Sequence, residues 1–181
     1  TPFDDGCALL TGNRQTLSLE PATDTWTAGR NLAYSRRYHS AVPLPDGRVL
    51  LIGGADTLRV TDLNPATNRE SSVTALDSLR ILPAAAVLPS GLVLVSGGLD
   101  SSNRALATAG LIDPIAETWS EAAAMIEGRF AHELTLLPGG DLLVTGGATV
   151  TDDGAQVPLP SVERYARPAT APLRPRDRLA P

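Results

Sequence analysis

The sequence predicts an all-β fold made of repeated four-stranded antiparallel units, and three landmarks predict it. Gly-Gly pairs stand at Gly53-Gly54, Gly97-Gly98 and Gly146-Gly147, each closing an apolar run (VLLIGG, LVLVSGG, LLVTGG). Arg36, Arg80 and Arg129 precede these runs. Related turns, EPATDTW, NPATNRE and DPIAETW, start at Glu20, Asn64 and Asp113. The arginines, the first glycines of the pairs and the turn prolines (Pro21, Pro65, Pro114) all repeat at the same two spacings, 44 and 49 residues. Shared spacing in three unrelated landmarks marks one supersecondary unit stacked on its neighbours.

Within the unit from Arg36, the first strand is predicted at about His39 to Leu44, and LPDG turns the chain. Arg48 to Ile52 is a short aliphatic run of strand length. Gly53-Gly54 ends it, because glycine takes backbone torsions that side-chained residues resist. A third strand follows at about Leu58 to Leu63; an Asn-Pro turn then leads into a fourth. LPSG at 88–91 and LPGG at 137–140 are the equivalent first turns of the later units. Counted this way, residues 1–35 are a first unit lacking its innermost strand, and Gly12 after CALLT is its eroded Gly-Gly. Residues 36–79 and 80–128 are complete units, 129–171 a diverged fourth with RPAT at 167–170, and 172–181 a Pro/Arg-rich tail. The best helical stretch, EAAAMIEG at 121–128, is short. Antiparallel strands at this period describe propeller blades.

Composition narrows the function classes. Hydrophobic residues make up 43% and charged residues 19% of the 181, a globular balance. A net charge of −5 argues against a broad nucleic-acid surface. No apolar run approaches the ~20 residues of a membrane-spanning helix. The one cysteine, Cys7, allows neither an internal disulfide nor a cysteine zinc cluster. All 15 cations are Arg, which, with the abundant Ala, fits a high-GC bacterial coding bias.

The combined pattern Arg-x-x-His, LPDG, apolar strand, Gly-Gly, D/N-P-A-T and Trp resembles the kelch repeat, above all bacterial kelch units related to the central domain of galactose oxidase. The resemblance covers roughly residues 3–170. It departs at Glu70, where the others have Trp26 and Trp119, and at Pro83, where the others have His39 and His132. Leu19, Leu63 and Ile112 replace the Tyr usual before the Pro turn. The resemblance implies a kelch-type propeller segment of about three to four blades, expected to belong to a larger propeller; the alternative is a four-bladed ring or an arc closed by self-association. Exported bacterial proteins of this style suggest an extracytoplasmic setting.

The function it implies is a non-enzymatic binding or interaction module. The alternative is a fragment of a copper radical oxidase, with Tyr38 in the place of the radical Tyr. Equivalent blade positions two units apart, as for His39 and His132, lie too far apart for one metal ion. No catalytic residue, metal site or cofactor is therefore assigned. The segments entering the first strands carry Arg36, Tyr38, His39, Arg80, Arg129, Phe130 and His132, expected to point to solvent at one mouth of a channel; the alternatives are an inter-strand hydrogen-bonding role for the three arginines and packing or hydrogen bonding of each histidine within its own blade. They would suit an acidic peptide or a uronic sugar through paired guanidinium–carboxylate hydrogen bonds. Gly53, Gly54, Gly97, Gly98, Gly146, Gly147, Trp26 and Trp119 are the structural signature, with both tryptophans packing between blades. The loop tips Asp100–Asn103 and Asp152–Gly154 lack the spacing of a calcium loop.

Overall fold

The sheets are built where aliphatic runs alternate with Pro/Gly turns. The computed structural model describes residues 8–166; Cys7, the RPAT turn and the tail at 172–181 lie outside the described residues. Strands β1 (Ala8–Glu20) and β2 (Thr25–Arg36) form a long hairpin. β3 (Ser40–Pro43), β4 (Val49–Ile52), β5 (Arg59–Asn64) and β6 (Arg69–Ala75) make one antiparallel sheet in chain order. β7 (Ala84–Val87), β8 (Val93–Ser96), β9 (Ala109–Asp113) and β10 (Thr118–Ala122) make the next. In the last, β11 (Glu133–Leu136) pairs with β12 (Leu142–Thr145), which pairs with β15 (Val162–Tyr165). The chain joining β12 to β15 forms a separate hairpin, β13 (Ala148–Val150) and β14 (Gln156–Pro158). The fold is all-β: the described residues contain no helix, and Glu121 and Ala122 of the best helical stretch close β10. No helix long and apolar enough to cross a membrane occurs among them.

Strand alternation gives each sheet two faces, and each core cluster lies where the faces of consecutive sheets meet. Leu9 and Leu32 of the first hairpin pack on Val49, Leu51 and Leu63. The opposite face of that sheet, Val42, Leu50, Ile52 and Val60, meets Val93, Val95 and Ile112. Leu94 and Ala109, on the far side of the β7–β10 sheet, meet Leu134, Leu142 and Val144. The first strands β3, β7 and β11 are neighbours, as are β6 and β10. The sheets are thus stacked face to face, in chain order.

Two sequence expectations change at the first unit. Gly12 ends no strand, since β1 runs through it from Ala8 to Glu20. Trp26 is 49% exposed, not packed between sheets. Trp119, its equivalent, lies on Gly110 against the cluster shared with the preceding sheet; the described residues put no sheet before Trp26. In the second unit, where Glu70 stands in place of the Trp, its carboxylate accepts a hydrogen bond from the Ala33 amide at 2.8 Å, tying the first hairpin to the second unit.

The two glycines of each pair do different work. Both have positive φ in all three pairs. A Cβ on Gly54, Gly98 or Gly147 would press on its own unit's entry segment: Arg37 O, Ile81 O or Phe130 O. The first glycine instead faces the next unit. A Cβ on Gly53 would lie 2.7 Å from Arg80 O, and one on Gly97 would sit still closer to Arg129 O. Gly146, at the same position in the last unit, faces open space. Gly97→Ala is therefore expected to cost about 3 kcal/mol or more, combining backbone strain with the clash. Gly146→Ala should carry the strain alone, about 1–2 kcal/mol. Denaturant melts of the two variants compare them directly, and equal losses would refute the inter-unit role of the first glycine.

Candidate functional site

Register fixes which groups share an end of the sheets. Ser40 pairs with Ile52 and Ile52 with Val60, so the start of β3, the Gly-Gly pair and the loop before β5 lie together. The same holds for Ala84, Ser96 and Ala109, and for Glu133, Thr145 and Val162. This end therefore carries all the sequence-predicted candidates. It also carries the loops 53–58 and 97–108 and the β13–β14 hairpin.

The three arginines are the main correction. Arg36, Arg80 and Arg129 are each 0% exposed, turned into their own units and not to solvent. Each Nη1 donates to the carbonyl of the first glycine of its pair: Gly53 at 3.2 Å, Gly97 at 3.0 Å, Gly146 at 3.1 Å. Each also reaches a carbonyl at or just before the start of the third strand, from Arg59, Thr108 or Ser161, at 2.8, 2.9 and 3.1 Å. Each Nη2 takes a hydroxyl there, on Thr61, Thr108 or Ser161. A strand ending on two left-handed glycines leaves its last carbonyls without ladder partners, and a planar five-donor fork satisfies several at once. Asp77 adds a carboxylate to Arg80 at 3.0 Å, and Glu163 adds one to Arg129 at 2.7 Å. Burial pushes Arg36 down to about 10, with Glu70 the main opposing influence, so it stays cationic at neutral pH. Burial also pushes Glu163 upward. The amides of Ile126 and Glu127 and the Arg129 guanidinium outweigh it and hold that carboxyl below its ordinary value.

Two residues after each arginine the backbone turns left-handed: Tyr38 (φ 61°), Leu82 (φ 56°) and Ala131 (φ 53°). For residues of these types that conformation is costly, and surrounding structure must hold it. What holds it is a hydrogen-bond chain between units. The Leu82 amide donates to the Tyr38 carbonyl at 2.8 Å, and the Ala131 amide to the Leu82 carbonyl at 3.0 Å. A parallel set runs from the Gly54 amide to the Arg80 carbonyl at 3.0 Å, and from Gly98 to Arg129 at 2.9 Å. No sequence signal marked Leu82 and Ala131, because neither residue type favours positive φ.

The histidines join the units as well. His39 Nε2 lies 2.7 Å from Thr11 Oγ1, and its Nδ1 lies 3.1 Å from the Arg36 carbonyl. A carbonyl only accepts, so in the neutral ring Nδ1 donates and the threonine hydroxyl donates to Nε2. His132 repeats the contact, its Nε2 2.8 Å from Ser96 Oγ. Thr11 and Ser96 each stand just before the glycine of the preceding unit. Between the second and third units both partners change together: Pro83 replaces the histidine and Ile52 the hydroxyl. Burial lowers the pKa of both rings; His132 falls to about 4, with Arg129 lowering it further and Glu163 opposing.

Of the predicted ligand contacts, Tyr38 stands clear at 59% exposure, His39 is half-buried, and Phe130 and His132 are buried. Arg37, beside Tyr38, is exposed, as is Arg104 in the loop before β9. The predicted set thus divides into an inner layer of pins and a thin outer surface. No three His, Cys, Asp or Glu side chains are grouped to hold a metal ion among the described residues. Compared with known proteins, the chain matches no family profile and no curated protein sequence.

Proposed function

We propose that the chain is a segment of a kelch-type β-propeller and serves as a non-enzymatic binding module. The ordered stacking of antiparallel sheets, two of them four-stranded and with the first strands β3, β7 and β11 side by side, supports the propeller reading. The Arg-x-x-His and Gly-Gly roles described above support the kelch reading. One observation carries the binding reading: Tyr38 is held exposed on a rigid left-handed bend beside Arg37, while the buried arginines and histidines at that end are already engaged within and between units. A fixed aromatic next to a cation presents contact area with little ordering cost on binding. With Arg36, Arg80 and Arg129 inside, Arg37, Arg59 and Arg104 are exposed cations at that end for an acidic peptide or a uronic-acid oligosaccharide.

An array of both ligand classes tests this, comparing the native chain with Arg37→Ala and Tyr38→Ala. Each variant is expected to melt like the native chain and to bind about tenfold more weakly, a loss of about 1.4 kcal/mol. Folded variants that bind as the native chain does would refute the site. Copper titration followed by EPR separates the oxidase reading: no tight mononuclear signal is expected, and one lost in Tyr38→Phe would overturn the binding-module proposal.

A further inference from the structure

The forward face of the last sheet repeats positions that the two preceding sheets bury. Leu50, Ile52 and Val60 of the second unit are 0% exposed beneath the third. Leu94, Ser96 and Ala109 of the third are 1%, 1% and 4% exposed beneath the fourth. Their equivalents in the fourth are Leu143, Thr145 and Val162, placed by the same strand pairings. Val162 is 58% exposed, and Leu143 and Thr145 are partly so. Backbone groups on this side are also uncovered. Among the described residues no amide donates to Ala131 O and no carbonyl accepts from Gly147 N–H, whereas Leu82 O, Gly54 N–H and Gly98 N–H are all paired with the following unit. Gly146 faces open space where Gly53 and Gly97 abut an arginine carbonyl.

We propose that this face is a docking surface for a further β-unit that enters on an Arg-x-x-His segment, with Thr145 taking the imidazole. The hydroxyl just before the glycine selects the incoming residue. Thr11 receives His39 and Ser96 receives His132, whereas Ile52 meets the Pro83 unit. An imidazole set against an isoleucine would lose its hydrogen bond on burial, and a hydroxyl set against proline would lose its partner. Thr145 is therefore matched to histidine. The incoming arginine's carbonyl accepts from Gly147, and the amide two residues later donates to Ala131 O. A second copy of these 181 residues does not meet the requirement as it stands. Its only histidines are His39 and His132, both already paired. This inference rests on the propeller-segment reading and deepens it by naming the chemistry of the next unit; it does not depend on any ligand of Arg37 or Tyr38.

The test appends a copy of residues 129–166 directly after Pro181 in the full chain. This unit is chosen because it enters on Arg-x-x-His and its own forward face already tolerates solvent. Counted from the β15 residue Tyr165, the junction keeps the 17-residue step that separates Leu63 from Arg80 and Ile112 from Arg129. The extended chain is expected to melt in one transition, with its midpoint raised by about 5 °C or more. Thr145→Ile should lower that midpoint by several degrees and leave the parent chain nearly unchanged. Combining it with His→Pro in the appended unit should restore most of the loss, recreating the Ile52/Pro83 pairing. Gly146→Ala, mild in the parent, should become as damaging as Gly97→Ala. An appended unit that melts separately, or Thr145→Ile acting alike in both chains, would overturn the proposal. Should the extended chain not fold, amide exchange in the parent decides. Gly147 is expected to exchange at least about tenfold faster than Gly54 and Gly98 at all concentrations. Protection of Gly147 equal to theirs would mean a different occupant, a second copy, already covers the face.

Discussion

Arg129→Met is expected to lower the stability of the chain by about 3–5 kcal/mol, with Arg80→Met close behind. Each guanidinium is fully buried and donates to two backbone carbonyls, a hydroxyl and a carboxylate. An apolar side chain of similar volume takes the donor from the Gly97 and Gly146 carbonyls and from the hydroxyls and carboxylates beside them, although the Thr108 carbonyl keeps its bond from the Gly97 amide. For Arg129 it also leaves the Glu163 carboxylate, 11% exposed, without its cation. Arg36→Met should fall in the same range: Arg36 donates to neutral carbonyls and a hydroxyl, and its charge also acts on the buried Glu70 carboxylate. Arg→Lys should recover little, since a single ammonium does not span the fork of acceptors. Denaturant unfolding measures the loss, with the exposed Arg37→Ala as a control expected within about 0.5 kcal/mol of the native chain. This favours the inter-strand hydrogen-bonding reading of the sequence over the expectation that Arg80 and Arg129 face solvent and matter for binding alone. Losses under about 1 kcal/mol for both buried variants would restore that expectation.

Acid should weaken the fold well before its carboxylates titrate. His132 has an ordinary value of 6.5 and is lowered to about 4, first by burial and then by Arg129. Between those two values the unfolded chain binds the proton and the folded chain does not. Stability therefore rises with pH across this window and is lost as pH falls from 6.5 toward 4. The His132 share amounts to about 2 kcal/mol by pH 5 and about 3 kcal/mol in full. His39, also lowered by burial, contributes in the same direction below 6.5. Glu163 and Asp46, held below their ordinary values of 4.5 and 3.8, add their losses only under more acidic conditions. Melts between pH 7 and 5 thus isolate the histidines. The slope should shrink in the paired variant Ser96→Ile/His132→Pro, which copies the apolar Ile52/Pro83 junction. A flat profile over this range, or a His132 imidazole that titrates near 6.5 by NMR, would show that the ring is not buried as described.

Different parts of this molecule were legible at different levels. The strand predicted at His39–Leu44 is observed at Ser40–Pro43, and that at Arg48–Ile52 begins one residue later. These were readable because strand length, turn chemistry and apolar alternation are local properties. The inserted β13–β14 hairpin was not readable, because Ala148–Val150 and Gln156–Pro158 are too short to carry a period. The candidate site divides along the same line. That Arg36, Arg80 and Arg129 recur is written in the chain. Whether a recurring guanidinium faces solvent or the carbonyls of its own sheet depends on where Gly53, Gly97 and Gly146 leave those carbonyls.

By itself the sequence determined the unit, its period and the residues that recur in it, since these are set by neighbours along the chain. Only the tertiary structure decided what the recurring residues do. The left-handed bends at Tyr38, Leu82 and Ala131 are held by bonds from one unit to the next. The histidines find their hydroxyls 28 and 36 residues away. Trp26 is exposed while Trp119 is packed, although both follow related turns. In each case the deciding partner lies on a different unit, and local preference carries no record of it.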